Sequence, residues 1–388
     1  MRRTSHLALV SALLLALGCT DNGGPAGADA GANDAAIIPL DDTGPPSDAN
    51  VDAYRSSTYV PHDAGWDDAG TGAAFTGTPG TWTGVAVEGA VCGNGSPMFV
   101  AVNLSSTSSD VVVYFQGGGA CWDSGTCFAL GTASHTSDTL TAAEVVAEAS
   151  GGGASFVFDR VASNPYRDAS YVYIPYCTGD AHAGNNVAHF TGGTMHFVGA
   201  HNSELILRGA AATWSSTTHV TLVGASAGGY GVLANWWVAQ ALFPSARVDA
   251  LSDCGLPLDV PGARWRTMQT AWGINLPPDC AGCDSLGDAM PYYATTMTPP
   301  HRFGLLAYLD DTVIPSFYAE SGALIHTDLV ELRTTTMATA NQRTFYVNDM
   351  GHVLITTPDM RAGSGGPTVR EWVTQFATDD PAWTDVGP

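Results

Sequence analysis

From Phe75 onward, short runs of consecutive apolar residues alternate with longer segments of helical period. The runs Val111–Phe115, Tyr171–Pro175, His219–Val223, Val248–Leu251, Phe303–Leu309 and Thr344–Val347 are rich in β-branched and aromatic residues and do not alternate polar with apolar positions. A strand with one wet face would alternate, so these are expected to be strands covered on both faces. Between them, Ala142–Ala149, Asn202–Trp214, Gly228–Leu242 and Thr368–Phe376 read as helices, with Asn202 the expected N-cap of the second. Strands alternating with helices predict one α/β domain over residues 73–388, a mostly parallel sheet with helices on both faces. Active sites on such sheets gather at the carboxyl ends of the strands.

A different pattern precedes the domain. Arg2 and Arg3 lead into the apolar run Leu7–Leu17, which Gly18 and Cys19 close, and this predicts a signal peptide over residues 1–18. The run is too short for a permanent membrane helix. A small residue directly before the cysteine resembles a bacterial lipoprotein signal, which implies cleavage before Cys19, diacylglycerol on its sulfur and a membrane as partner through that anchor. Thr20 fits sorting to the outer membrane; the alternative is a plain secretory peptide and an extracellular protein. Residues 19–72 are mainly Asp, Ala, Gly, Pro and Ser, a composition that cannot bury enough surface to offset the entropy of ordering, so a disordered tether is expected.

Net charge is −23, but much of the acid lies in the tether, leaving a moderately acidic domain for which nucleic acid is not an expected partner. Setting Cys19 aside leaves Cys92, Cys121, Cys127, Cys177, Cys254, Cys280 and Cys283, an odd number in a compartment that favours disulfides. Cys121 and Cys127 are close enough to staple a loop. For Cys280 and Cys283 a local disulfide is expected over half a zinc site, since no second pair at ligand spacing accompanies them.

The chemistry concentrates where His219–Val223 runs into Gly224-Ala-Ser226-Ala-Gly228 and then into a helical segment. In strand-turn-helix context, G-x-S-x-G is a nucleophile elbow: the serine occupies a strained, exposed turn, and the following helix aims its first N–H groups, including that of Ala227, at a developing oxyanion. Val111–Phe115 ends in Gln116-Gly117-Gly118-Gly119-Ala-Cys121-Trp122, where Gly118 and Gly119 offer backbone N–H groups for the same oxyanion. The acid and histidine of a triad follow the serine in that order. Asp311, with Asp310 as the alternative, closes the run Phe303–Leu309, and His352 follows the last predicted strand. Asp253 is the third choice of acid. His182, His189, His196 and His201 precede the serine and match no zinc spacing, so no metal ligand is assigned. Trp122, Trp236 and Trp237 could wall a pocket, although neighbouring aromatics on a helix are more often core.

Cys92-Gly-Asn-Gly-Ser-Pro, Gln116-Gly-Gly-Gly-Ala-Cys-Trp-Asp, Tyr176-Cys-Thr-Gly-Asp180 and Gly224-Ala-Ser-Ala-Gly-Gly229 together resemble the pectin acetylesterase and Notum-type carboxylesterase family, over roughly Thr83 to Leu354. The resemblance implies an α/β-hydrolase-like fold and a serine esterase that needs no metal or other cofactor. It places the oxyanion donors at Gly118, Gly119 and Ala227, and it favours Asp311 over Asp310 through the downstream Val313-Ile314. The expected reaction is two-step acyl transfer from an ester, with acetylated cell-wall polysaccharide as the favoured substrate. A Notum-like fatty acyl ester, a peptide bond, and an inactive binding module on the same scaffold are the alternatives.

Overall fold

The computed structural model describes residues 72–151, 155–259 and 263–388. The expected signal peptide, Cys19 and the expected tether up to residue 71 lie outside the described residues. The chain opens with strands β1 (Thr83–Val91), β2 (Pro97–Asn103) and β3 (Val111–Phe115), then a single π-helical turn at Gly125–Leu130 and helix α1 (Ala142–Ser150). Strands β4 (Ser170–Ile174), β5 (Asn186–Phe190) and β6 (Gly193–Phe197) lead to helix α2 (Gly199–Thr213). Then come β7 (His219–Ala225), α3 (Ala227–Leu242), β8 (Arg247–Asp253), α4 (Ala263–Trp272) and α5 (Ala289–Thr296). Strand β9 (Phe303–Asp311), α6 (Ile314–Tyr318), α7 (Gly322–Thr334), β10 (Gln342–Gly351) and α8 (Val369–Ala377) complete it.

Eight strands form one sheet in the order β1-β2-β4-β3-β7-β8-β9-β10, and β5 and β6 form a separate antiparallel hairpin. From β4 to β10 every neighbouring pair is parallel, while β1 and β2 join antiparallel at one edge. All six expected strands are present, and this is the mostly parallel α/β-hydrolase-like sheet the sequence predicts. Residues along a strand point alternately to the two faces, so the unbroken burial of β3 and β4 shows that both faces are covered. Helix α3 packs on β3, β7 and β8, α1 on β1 and β2, and α7 on β9.

Local signals set several helix starts. Thr141 with Glu144 and Thr368 with Glu371 make reciprocal capping boxes at α1 and α8. Asn202 is a correction. Helix α2 begins three residues earlier than its expected cap, and Asn202 instead lies inside it, bonding both polar groups of Val91 through Oδ1 (3.2 Å) and Nδ2 (2.7 Å). A buried carboxamide that satisfies an edge-strand residue thus outweighs its local preference for a cap.

Candidate active site

Ser226 stands between the last residue of β7 and the first of α3, at φ 56° and ψ −126°. A residue with a side chain costs about 1–3 kcal/mol there, so its surroundings must hold it. Its N–H donates to the Asp253 carbonyl at 2.9 Å and lies 3.3 Å from Cys254 Sγ, and its carbonyl accepts the Gly229 N–H at 2.8 Å. The turn also demands close approach: a Cβ on Gly228 would come 2.0 Å from the Phe115 carbonyl oxygen.

His352 follows β10. Its Nε2 is 2.9 Å from Ser226 Oγ and its Nδ1 is 2.9 Å from Asp311 Oδ2. Asp311 is buried at the end of β9, and its second oxygen accepts the N–H groups of Val313 at 2.7 Å and Ile314 at 2.9 Å, where α6 begins. With Oδ1 occupied in this way, the carboxylate is locked facing the imidazole. Its neighbour Asp310 projects to the other side, as the two-residue strand period requires, and binds His326 Nδ1 at 2.9 Å near the surface.

Asp253, the third acid the sequence offers, ends β8 and serves a different purpose. Its Oδ2 accepts the N–H groups of Leu354 (2.8 Å) and Ile355 (2.6 Å), pinning the chain just beyond His352. Burial pushes this carboxyl up to about 7, although those two N–H groups and nearby His352 pull the other way.

The glycine run follows β3. Gly119 has φ +74°, and a Cβ there would sit 2.1 Å from the Thr132 carbonyl oxygen. Its loop is held by Ala120 N–H to Thr132 O (3.2 Å), Ser134 N–H to Gly118 O (2.8 Å) and the Cys121–Cys127 disulfide. Ala227 is the first residue of α3, where an α-helix leaves N–H groups without intrahelical acceptors. Gly119, Ala227 and Ser226 line one cavity of about 30 Å³, closed by Tyr230, Trp265, Trp272, Phe317 and Tyr318 among others. Gly118 lies one step back, against Ser134 and Tyr176. The cavity is apolar in effect, because the Tyr230 and Tyr318 hydroxyls bond each other at 2.6 Å.

Disulfides also join Cys92 to Cys177 and Cys280 to Cys283, and among the described residues Cys254 is the cysteine outside a disulfide. The histidines ahead of the serine are dispersed. His182 is buried with Nε2 2.8 Å from the Gln116 carbonyl, and burial lowers it to about 4; His189 bonds Thr194 and His196 bonds Gly93. Trp236 belongs to the core, its Nε1 donating to Val248 O at 2.9 Å, and Trp122 packs edge-on to Phe317. The pocket tryptophans are Trp265 and Trp272, which the sequence reading missed. Their spacing with Met268 on α4, three then four residues, is a helical face that could have exposed them.

The family model for pectinacetylesterase matches residues 81–276. The chain belongs to the pectinacetylesterase family. No curated protein sequence matches it. Membership of the pectinacetylesterase family implies carboxylesterase activity and an ester as substrate. The matched span of the pectinacetylesterase model covers the glycine run, Ser226, Asp253 and Cys254 and stops before Asp311 and His352. Those two residues are joined to Ser226 by geometry alone.

Proposed function

We propose that this chain is a serine esterase that removes acetyl groups from cell-wall polysaccharide, exported and held to the cell envelope by a lipid on Cys19. The observation that carries the reading is the line Asp311, His352, Ser226 opening on a small apolar cavity.

In the first step His352 Nε2 takes the proton of Ser226 Oγ as the oxygen bonds the ester carbonyl carbon. Charge on the carbonyl oxygen is met by the N–H groups of Gly118, Gly119 and Ala227. The tetrahedral species collapses as the protonated His352 hands its proton to the leaving alcohol. Water, deprotonated by the same nitrogen, then attacks the acyl-serine and releases the acid and Ser226. Throughout, Asp311 keeps the proton on Nδ1 and stabilises the imidazolium.

Cavity size supports acetyl over fatty acyl. Space of about 30 Å³ accommodates groups on the scale of one or two water molecules, whereas pockets for larger ligands run to roughly 300–1,000 Å³. The test is hydrolysis of p-nitrophenyl esters from acetate to palmitate, beside Ser226→Ala and His352→Ala. A steep preference for acetate, lost in both variants, is expected and leads on to acetylated pectin and xylan. Preference for long chains would sink the acetyl reading in favour of a lipid pocket, and silence from a folded protein would favour a binding module. Export and anchoring are tested by labelling cells with radioactive palmitate: Cys19→Ala should abolish the label and release the protein.

A further inference from the structure

Cys254 brings a second chemistry to the same imidazole. Its side chain is buried, its backbone takes φ +50°, and its Sγ lies 3.8 Å from His352 Nε2, the nitrogen that also bonds Ser226 Oγ. Cys254 Sγ, His352 and Asp311 present ligand atoms that all fall within 4.8 Å of one another, the one such cluster among the described residues. Nothing in acyl transfer calls for a thiol at that place.

The geometry points to an inhibitory site for a thiophilic divalent ion such as Zn²⁺ or Cd²⁺, bound by Cys254 Sγ and His352 Nε2 with Ser226 Oγ alongside. Tetrahedral zinc with Zn–S of about 2.3 Å and Zn–N of about 2.0–2.1 Å sets its sulfur and nitrogen ligands roughly 3.5 Å apart, near the separation found here. The outer contacts suit the ion as well. His352 Nδ1 faces Asp311 at 2.9 Å, the carboxylate–histidine pairing that fixes the tautomer of a metal-bound imidazole and aims its other nitrogen at the ion. The Ser226 N–H already points at the sulfur, so the negative charge a thiolate ligand carries has a donor in place. Binding forms the S–metal and N–metal bonds, releases the thiol proton to solvent and changes no oxidation state. An occupied site takes the Nε2 lone pair that must accept the proton of Ser226, so metal and turnover exclude each other. The ion is an inhibitor and not a cofactor.

This inference uses the serine-esterase reading for its inhibition, and binding is therefore measured separately. Full-length Ser226→Ala protein is titrated with Cd²⁺ and the ultraviolet sulfur-to-cadmium absorbance followed, then repeated with Cys254→Ser added and with Asp311→Asn added. One equivalent of the band should disappear with Cys254→Ser, and Asp311→Asn should weaken binding about 10- to 100-fold. Zn²⁺ should inhibit p-nitrophenyl acetate hydrolysis of the unmodified protein, and a chelator should restore the rate. Cys254→Ser should tolerate at least about tenfold more Zn²⁺ relative to its own metal-free rate, with a thermal melt confirming that it is folded. A cadmium band from which Cys254→Ser removes no equivalent, or no band at all, overturns the site; loss of one equivalent without any esterase activity keeps the site and overturns the esterase reading.

Discussion

Asp311 and His352 meet at 2.9 Å although 41 residues separate them, because β9 and β10 run parallel and side by side and deliver both residues to the same end of the sheet. The pairing favours Asp311 over Asp310 as the acid of the proposed mechanism. Asp311→Asn should lower kcat/KM about 10⁴-fold on p-nitrophenyl acetate by favouring the wrong imidazole tautomer. Asp310→Asn, which loses only a near-surface contact to His326, should stay within a few-fold of the unmodified rate. Equal losses in the two variants would contradict the assignment.

Phe317 lines the cavity beside Gly119 and lies edge-on to Trp122. Phe317→Ala should open room for extra methylenes, moving the preferred ester from acetate toward butyrate or hexanoate by about 10- to 200-fold in relative kcat/KM. Stability should fall by about 3–5 kcal/mol, as for other buried phenylalanines. An unchanged chain-length profile in a folded variant would place the acyl group elsewhere.

Asp253 gives stability a pH dependence of unusual sign for a carboxyl. Burial raises it from 3.8 to about 7, so the folded protein holds a proton that the unfolded chain has released between those values. Its contribution is fully present below about 3.8 and is lost as pH rises through about 7. Asp180, raised by burial to about 6, acts in the same direction; His182, lowered to about 4, opposes them, since its contribution is present above about 6.5 and lost as pH falls toward 4. Melting temperatures of the unmodified protein and Asp253→Asn, measured from pH 4 to 8, should diverge most at the alkaline end, where the unmodified protein lacks this contribution. Parallel curves would show that Asp253 does not titrate in that window.

The two disulfides near the site should behave differently. Cys92–Cys177 closes a loop of 85 residues between the first strand and the strand after the glycine run, and Cys92→Ala with Cys177→Ala should cost about 4–5 kcal/mol in denaturant unfolding. Cys121–Cys127 spans only 6 residues but braces the loop that carries Gly119, so its removal should reduce kcat more than melting temperature. The reverse ranking would remove the second bridge from any role in positioning the donors.

The parallel core was legible because a strand buried on both faces writes itself as an unbroken apolar run, as Val111–Phe115 does. Strand β1, with residues such as Glu88 and Gly89 exposed on the antiparallel edge, leaves no such run and went unread. Ser226, the glycine run and His352 were legible as motifs tied to strand ends. Asp311 against Asp310 needed the resemblance, since the sequence shows two adjacent carboxylates and only the strand's facing decides between them. The cavity wall of Trp265, Trp272 and Phe317 and the contact of Cys254 with His352 arise from segments far apart in the chain, and neither spacing nor composition records which ones fold together.

The strand order β3-β7-β8-β9-β10 divides the proposed reaction between two contiguous stretches of chain. Everything through α5 carries Ser226 and the N–H groups proposed as oxyanion donors; everything from β9 carries Asp311 and His352. A cut between Thr296 and Phe303 would yield two pieces, each chemically incomplete, whose reunion along the β8–β9 seam is required for any turnover. Ester hydrolysis would then serve as a fragment-complementation reporter, with colour appearing only when two polypeptides find each other.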